Sequence, residues 1–369
     1  MRPAAVTAAA LAAVSIAAFQ ATPPHAVAAP VTVARTDRLT IPAPKAGRAR
    51  PLVAIVAENE GAETTDFAIP FGVLRESGVA DVRTVATGSG PVQLMMSLKI
   101  RPDQTLAQFD AAEPAGADIV IVPAQMKPRN PALAAWVNAQ ARKGAVVMSI
   151  CEGARVLAHA GLLDGKRATT HWYALKGLEK AYPATTWVRD LRYVQDGRII
   201  STTGVSASIP ASLALVEAIG GRATAEVTAQ RLGVAGWSAA HRTSDYRVSR
   251  TDVLRVVGAM AAVWTHEKVE APLADGVDEI ALALTADAWG RSYKTKVVTT
   301  HQGLAPVRSK RGLVILPDDA PRQGRFVLPT RAGPPAPQLD AAIRDVTQRY
   351  GPQAARFARL GLEYGAPGS

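Results

Sequence analysis

Uninterrupted apolar runs alternate along this chain with stretches of helical spacing. LVAIVA (Leu52 to Ala57), ADIVIVPA (Ala117 to Ala124) and AVVMSI (Ala145 to Ile150) are short and almost wholly apolar. Such runs predict strands covered on both faces, as in a parallel sheet. Between them, TDFAIPFGVLRESG carries Phe67, Ile69, Phe71, Val73 and Leu74 on a predicted helix that stops at Gly78. Pro70 is expected in its first turns, where a missing N–H matters less. NPALAAWVNAQARKG, ending at Gly144, predicts an amphipathic helix with a glycine stop. DVRTVAT (Asp81 to Thr87) predicts a further strand, and VQLMMSLKIRPD (Val92 to Asp103) a hairpin or extended excursion. Strand alternating with helix predicts an α/β fold with a doubly wound parallel sheet.

Downstream, WVRDLRYVQDGRIISTTG predicts a hairpin turning at Asp196-Gly197. SASIPASLALVEAIGG predicts a helix closing the first domain near Gly221, and AEVTAQRLGVAGW and TDVLRVVGAMAAVWTHEKVE predict connecting helices. Asp66 to Asp103 also aligns without gaps on Ala281 to Asp318, at a constant offset of 215. The matches include Ser77/Ser292, Gly88/Gly303, Pro91/Pro306, Ile100/Ile315 and Asp103/Asp318. This predicts a C-terminal partial α/β repeat with no cysteine of its own. The expected organisation is a signal peptide at 1–29, a linker at 30–50, a first domain at 51–222, connecting helices at 223–270 and the partial repeat at 271–369.

The N-terminus refines this picture. Arg2, the uncharged apolar run Ala4 to Phe19 and the small-residue pattern Ala26-Val27-Ala28 read as an export signal, with an uncleaved anchor as the alternative. The expectation is a periplasmic or secreted protein, with no stable membrane span after cleavage. Pro30 to Pro51 reads as a flexible tether. The 369 residues are 48% hydrophobic and 20% charged, ordinary for a globular protein with a real core. The net charge of +11 is scattered rather than gathered into a stripe, so nucleic acid is not an expected partner. One cysteine excludes an internal disulfide, so the fold must stand on its core. The histidines show no metal-ligand spacing; neither a metal nor a cofactor is expected.

That cysteine, Cys151, follows AVVMSI directly and precedes the predicted helix EGARVLAHAGLL. Ligands of doubly wound sheets bind beyond the carboxyl ends of strands. A thiol there meets a helix N-terminus, whose N–H groups favour the thiolate and can hold an oxyanion. This predicts a thiol more acidic than the ordinary value of about 8.5. The alternative is a packed core cysteine, because free cysteine is among the most buried residue types.

The stretch SICEGARVLAHAGLLDGKRATTHW, with TTGVSASIPASLALVEAIGG after it, resembles the DJ/ThiJ/PfpI superfamily of the class I glutamine-amidotransferase-like fold. The likeness runs from about Pro51 to Gly221. It is greatest to the subgroup shared by isonitrile hydratases and the N-terminal domains of AraC-type regulators. The resemblance implies a flavodoxin-like sheet and a nucleophilic or redox-active Cys151. It also implies that Asp66, at the start of the first helix, hydrogen-bonds the cysteine, and that His171 belongs to the site. The backbone N–H groups of Glu152, Gly153 and Ala124 become candidate oxyanion donors. Protease-like relatives carry histidine directly after the nucleophile, whereas this chain has Glu152. Many relatives carry two glycines where this chain has Ala124-Gln125. The expected function is a thiol-dependent hydrolase, hydratase or lyase acting on a small electrophile, or a thiol redox sensor. The alternative is a ligand-binding, regulator-like module without turnover. The expected partner is a small-molecule substrate or ligand, and the family implies that a homodimer could form.

Overall fold

The computed structural model describes residues 38–365, except 96, 250, 253, 255, 257 and 259–264. The expected signal segment lies outside the described residues.

Seven strands build the main sheet: β1 Leu52–Ala57, β2 Asp81–Ala86, β3 Gln104–Thr105, β4 Ile119–Val122, β5 Val146–Ser149, β6 Tyr193–Asp196 and β7 Ile199–Thr202. Their spatial order is β6-β7-β5-β4-β1-β2-β3. Every neighbouring pair is parallel except the β6–β7 hairpin, which turns at Asp196-Gly197 as expected. The period of two along each strand splits its residues between two cores. Val53 and Ile55, Ile119 and Ile121, and Val146 and Met148 face one side. Leu52, Ala54, Val56, Val120, Val122 and Val147 face the other. Both faces are dry, which is why these strands read as continuous apolar runs.

The helices are α1 Thr64–Ser77, α2 Leu106–Ala112, α3 Pro131–Arg142, α4 Ala154–His159, α5 Trp172–Ala181 and α6 Ser208–Leu232. Phe67, Ile69 and Leu74 of α1 pack in the first core with Leu213 and Val216 of α6. Leu106 and Phe109 of α2, Leu133 and Trp136 of α3 and Val156 and Leu157 of α4 fill the second. The fold is therefore a doubly wound α/β sheet. Gly78 ends α1 in the left-handed region (φ 68°), its N–H bonded to the Leu74 carbonyl. Pro70 is the seventh residue of α1, deeper than expected, and leaves the Asp66 carbonyl without an i+4 donor.

The C-terminal half forms a second α/β layer. Strands β8 Glu267–Pro272, β9 Thr295–Thr300 and β10 Phe326–Val327 make a parallel sheet ordered β9-β8-β10. Helices α7 Glu279–Gly290, α8 Gln338–Tyr350 and α9 Pro352–Leu362 accompany it. Ile280, Leu284 and Trp289 of α7 share one continuous core with α1 and β1. The excursion after β2 pairs Val92–Met95 antiparallel with Lys99–Arg101, which in turn pairs with Val314–Ile315.

Three boundaries differ from expectation. The described part of the expected linker is fixed rather than loose. Leu39 is buried, the Lys45 N–H donates to Asp118 Oδ1 at 2.7 Å, and Arg48 pairs with Asp118 at 2.8 Å. Helix α6 does not stop at Gly221; it kinks there (φ 81°, ψ 165°) and runs on to a left-handed Gly233 cap. The C-terminal unit begins before 271, because the last residues of the expected connecting helices form β8. Polar neighbours mask that strand in the sequence, since Glu267 and Lys268 precede the buried Val269 and Ala271. Residues 259–264 of the same expected helix lie outside the described residues.

Candidate functional site

Strand β5 carries the chain to Ser149, and two residues later Cys151 turns it into α4 through a 3-10 turn, Cys151–Gly153. Cys151 itself takes the left-handed conformation, with φ 55°. A non-glycine residue there is strained and persists only where its surroundings hold it. The Cys151 N–H donates to the Thr203 carbonyl at 3.2 Å, and its carbonyl accepts from the Thr170 hydroxyl at 2.9 Å. Gly153 serves close approach rather than a left-handed turn. A Cβ on it would stand 2.0 Å from the Val122 carbonyl oxygen.

Asp66 enters from the first turn of α1. It is fully buried; Oδ2 accepts from the Ala124 N–H at 3.2 Å, while Oδ1 has no hydrogen-bond partner among the described residues. Burial, and then the charge of Glu63, push its carboxyl well above the ordinary range. This environment favours the protonated form of Asp66. Glu63 caps α1, accepting from the Asp66 N–H at 2.6 Å and the Thr65 hydroxyl at 2.8 Å. Its other oxygen faces Arg291 at 2.9 Å. Against the cost of burial, Arg291 and these hydrogen bonds hold Glu63 ionised, below its usual range.

The expected acidic thiol is not what this environment makes. Burial first, then the charges of Asp66, Glu152 and Glu63, push the Cys151 thiol well above its ordinary value. Protonation of Asp66 removes one of these repulsions, but burial remains. Two of the three N–H groups expected as donors at the site are engaged. Gly153 donates to the Ile150 carbonyl at 2.8 Å, and Ala124 is taken up by Asp66. Of the three expected oxyanion donors, Glu152 remains as the candidate. Its side chain is paired with Arg155.

His171 is buried at the N-terminus of α5, where Nδ1 accepts from the Tyr173 N–H at 3.3 Å. It neighbours Thr170, which holds the Cys151 carbonyl, but no hydrogen bond joins its ring to the sulfur among the described residues. Nε2 is buried without a partner among the described residues. The ring lies against Gly204, where a Cβ would stand 2.4 Å from it. Over this turn lies the end of α9. Glu363 Oε2 accepts from the Gly204 N–H at 2.5 Å, and Oε1 meets His241 Nε2 at 2.8 Å. Trp172 Nε1 donates to the Leu360 carbonyl at 3.0 Å.

Residues 52–218 match the DJ-1/PfpI family. A Parkinson disease protein 7 homolog from Danio rerio is 30% identical over 184 residues, covering 48% of this chain and 93% of that protein. The chain belongs to the DJ-1/PfpI family. An isonitrile hydratase from Pseudomonas putida is 32% identical over 171 residues, covering 45% of this chain and 72% of that enzyme. The HTH-type transcriptional regulator CdhR from Pseudomonas aeruginosa is 31% identical over 185 residues, covering 48% of this chain. There the match spans only 53% of the regulator's own length. The family region carries Glu63, Asp66, Cys151 and His171; Arg291 and Asp287 lie beyond it. Sequence reasoning missed all three of Glu63, Asp287 and Arg291. A signal existed in the 215-residue offset, which sets Asp287 against Gly72 and Arg291 against Glu76.

Proposed function

We propose that this protein is a thiol-dependent enzyme adding water across a polar multiple bond of a small electrophile, such as an isonitrile or an aldehyde. The observation that carries the reading is the strained, buried Cys151 beside a buried Asp66 whose Oδ1 is unpartnered. Burial favours the neutral form of both groups, so the chemistry suited to them creates no full charge. The thiol sulfur bonds to the electrophilic carbon while its proton passes to one Asp66 oxygen. The other Asp66 oxygen gives its proton to the carbon of an isonitrile, leaving a thioimidate, or to the oxygen of an aldehyde, and the acid is regenerated as its tautomer. Water then attacks the same carbon, the C–S bond breaks, and sulfur recovers a proton. The Glu152 N–H supports the heteroatom as charge develops. His171 borders the site.

The test is turnover of a panel of isonitriles, 2-oxoaldehydes and amides by the full chain and by Cys151→Ala. Cysteine-dependent turnover of one class is expected. Turnover equal in the variant, or none by either protein, overturns the reading.

One observation favours a ligand-binding module as the second reading. A cavity of about 620 Å³, lined by Arg192, Trp237, Tyr246, Arg359 and Tyr364, lies behind the turn that carries Ser206. Ligand binding there without turnover would support it. The reading also includes export and the absence of DNA binding. Intact Met1 on the mature protein, or sequence-selective DNA binding at physiological salt, would overturn these two parts respectively.

A further inference from the structure

The two α/β layers correspond piece by piece. Strand β8 follows β1 by 215 residues at both ends, and α7 begins 215 residues after α1. Each helix is capped by an acid at the same interval, Glu63 and Asp278. In the first layer Asp103 Oδ2 accepts from the Thr84 N–H at 2.8 Å and hydroxyl at 2.9 Å. In the second, Asp318 Oδ2 accepts from the Thr299 N–H at 3.0 Å and hydroxyl at 2.8 Å. Ile100 pairs directly with Ile315, its own counterpart, as residues on a two-fold axis do.

We propose that the C-terminal layer is a degenerate copy of the first that completes the thiol site within one chain, with Arg291 as its positioning residue. The inference rests on the thiol reading above. Arg291 reaches across to Glu63 Oε1 at 2.9 Å and is held by Asp287 Oδ1 at 2.9 Å. The Thr65 hydroxyl bridges Glu63, at 2.8 Å, and Asp287, at 3.3 Å. Glu63 in turn fixes the Asp66 N–H. The chain of contacts thus runs from the C-terminal layer to the acid beside Cys151.

The two-fold-related position shows the division of labour. The counterparts of Glu63 and Arg291 are Asp278 and Glu76, two acids where the working site has an ion pair. Arg311 lies between them, its Nε on Glu76 at 2.7 Å and a terminal nitrogen on Asp278 at 3.0 Å and Glu279 at 2.9 Å. The counterpart of Asp287 is Gly72, where a Cβ would stand 2.5 Å from Ile280, the counterpart of Thr65. Ala281 replaces Asp66, and the chain's one cysteine is already used. One position keeps a buried acid beside a thiol; the other has no counterpart of Asp66 or Cys151, and its acids are paired by Arg311. A single cation next to Glu63 holds that acid ionised, so that Asp66 and Cys151 meet a compensated charge.

The experiment measures iodoacetamide alkylation of Cys151 at fixed pH in the folded full chain, with folding checked by circular dichroism. Arg291→Gln keeps hydrogen-bond donors but loses the cation, and is expected to slow alkylation about tenfold, a shift of about one pH unit. Arg291→Lys keeps the cation and should stay within about twofold, well under half a unit. Glu63→Gln keeps the helix cap but removes the anion, and should speed alkylation by about tenfold, the same shift with opposite sign. Should Arg291→Gln not fold, Glu63→Gln decides alone. A wild-type thiol that reacts while the folded variants match it overturns the inference and leaves the enzyme reading standing. A wild-type thiol inert until the protein unfolds overturns both.

Discussion

Cys151, Asp66 and Glu63 stand within a few residues' reach of one another, and their protonation is decided jointly. Against the cost of burial, Arg291 and its hydrogen bonds hold Glu63 below its usual range, while burial and the Glu63 charge push both Asp66 and Asp287 well above the carboxylate range. The folded state therefore binds the Asp66 proton more tightly than the unfolded chain. Stability from this group is present below about pH 3.9 and falls as pH rises through the window above it. Asp66→Asn, which does not titrate, should gain stability relative to wild type as pH rises from 4 to 7. Urea unfolding at both pH values checks this, and an equal difference at the two would contradict it. The same variant cannot relay a proton, so turnover should fall about 10²- to 10⁴-fold. Because the thiol is raised, its alkylation rate in the wild-type protein should still be climbing at pH 9; a plateau by pH 8 would restore the acidic thiol expected from the helix terminus alone.

At the scale of elements, two glycines mark close approaches between elements. Gly153 brings the α4 entry onto β4, and a Cβ there meets the Val122 carbonyl rather than a side chain that could swing away. Gly153→Ala should cost at least about 2 kcal/mol, at the upper part of the range for overpacking, and move the elbow. Gly72 lets α1 sit against α7, where the neighbour is the Ile280 side chain. Gly72→Ala should cost about 1 kcal/mol, because that side chain can shift and alanine suits a helix better than glycine. Thermal unfolding of both variants orders the two effects, and a Gly72 variant less stable than the Gly153 variant would reverse the argument.

For the whole molecule, the C-terminal half shares a core with the first. Trp289, Ile280 and Ile343 lie in the same apolar cluster as Val53 and Phe67. A chain cut after Leu232 would expose the α1 face now covered by α7, together with the edge strand Lys99–Arg101. Truncation after Leu232 should yield an aggregating or self-associating product, whereas the full chain should run as a monomer, since its own second layer covers that face. Light scattering of both proteins measures this; a soluble monomeric fragment, or a full chain that dimerises through α1, would show that the cover is dispensable.

The sequence by itself determined the sheet, because β1 and β4 are apolar throughout and β5 is apolar at all but Ser149. It determined the place of Cys151 at a strand end, the stop of α1 at Gly78, and Asp66 as the acid of the first turn. It left β8 hidden, since that strand is half polar and its charges are answered by distant arginines such as Arg325 and Arg349. Local pattern favoured an acidic thiol, because a helix start suggests free N–H groups; only tertiary structure shows the burial, and the acids Asp66 and Glu63 nearby, that push the thiol the other way. Arg291 and Asp287 were beyond local reading altogether. They lie more than two hundred residues from Glu63, on an ordinary-looking helix. Only the packing of α7 on α1 turns them into neighbours of the site, because charge acts through space and not along the chain.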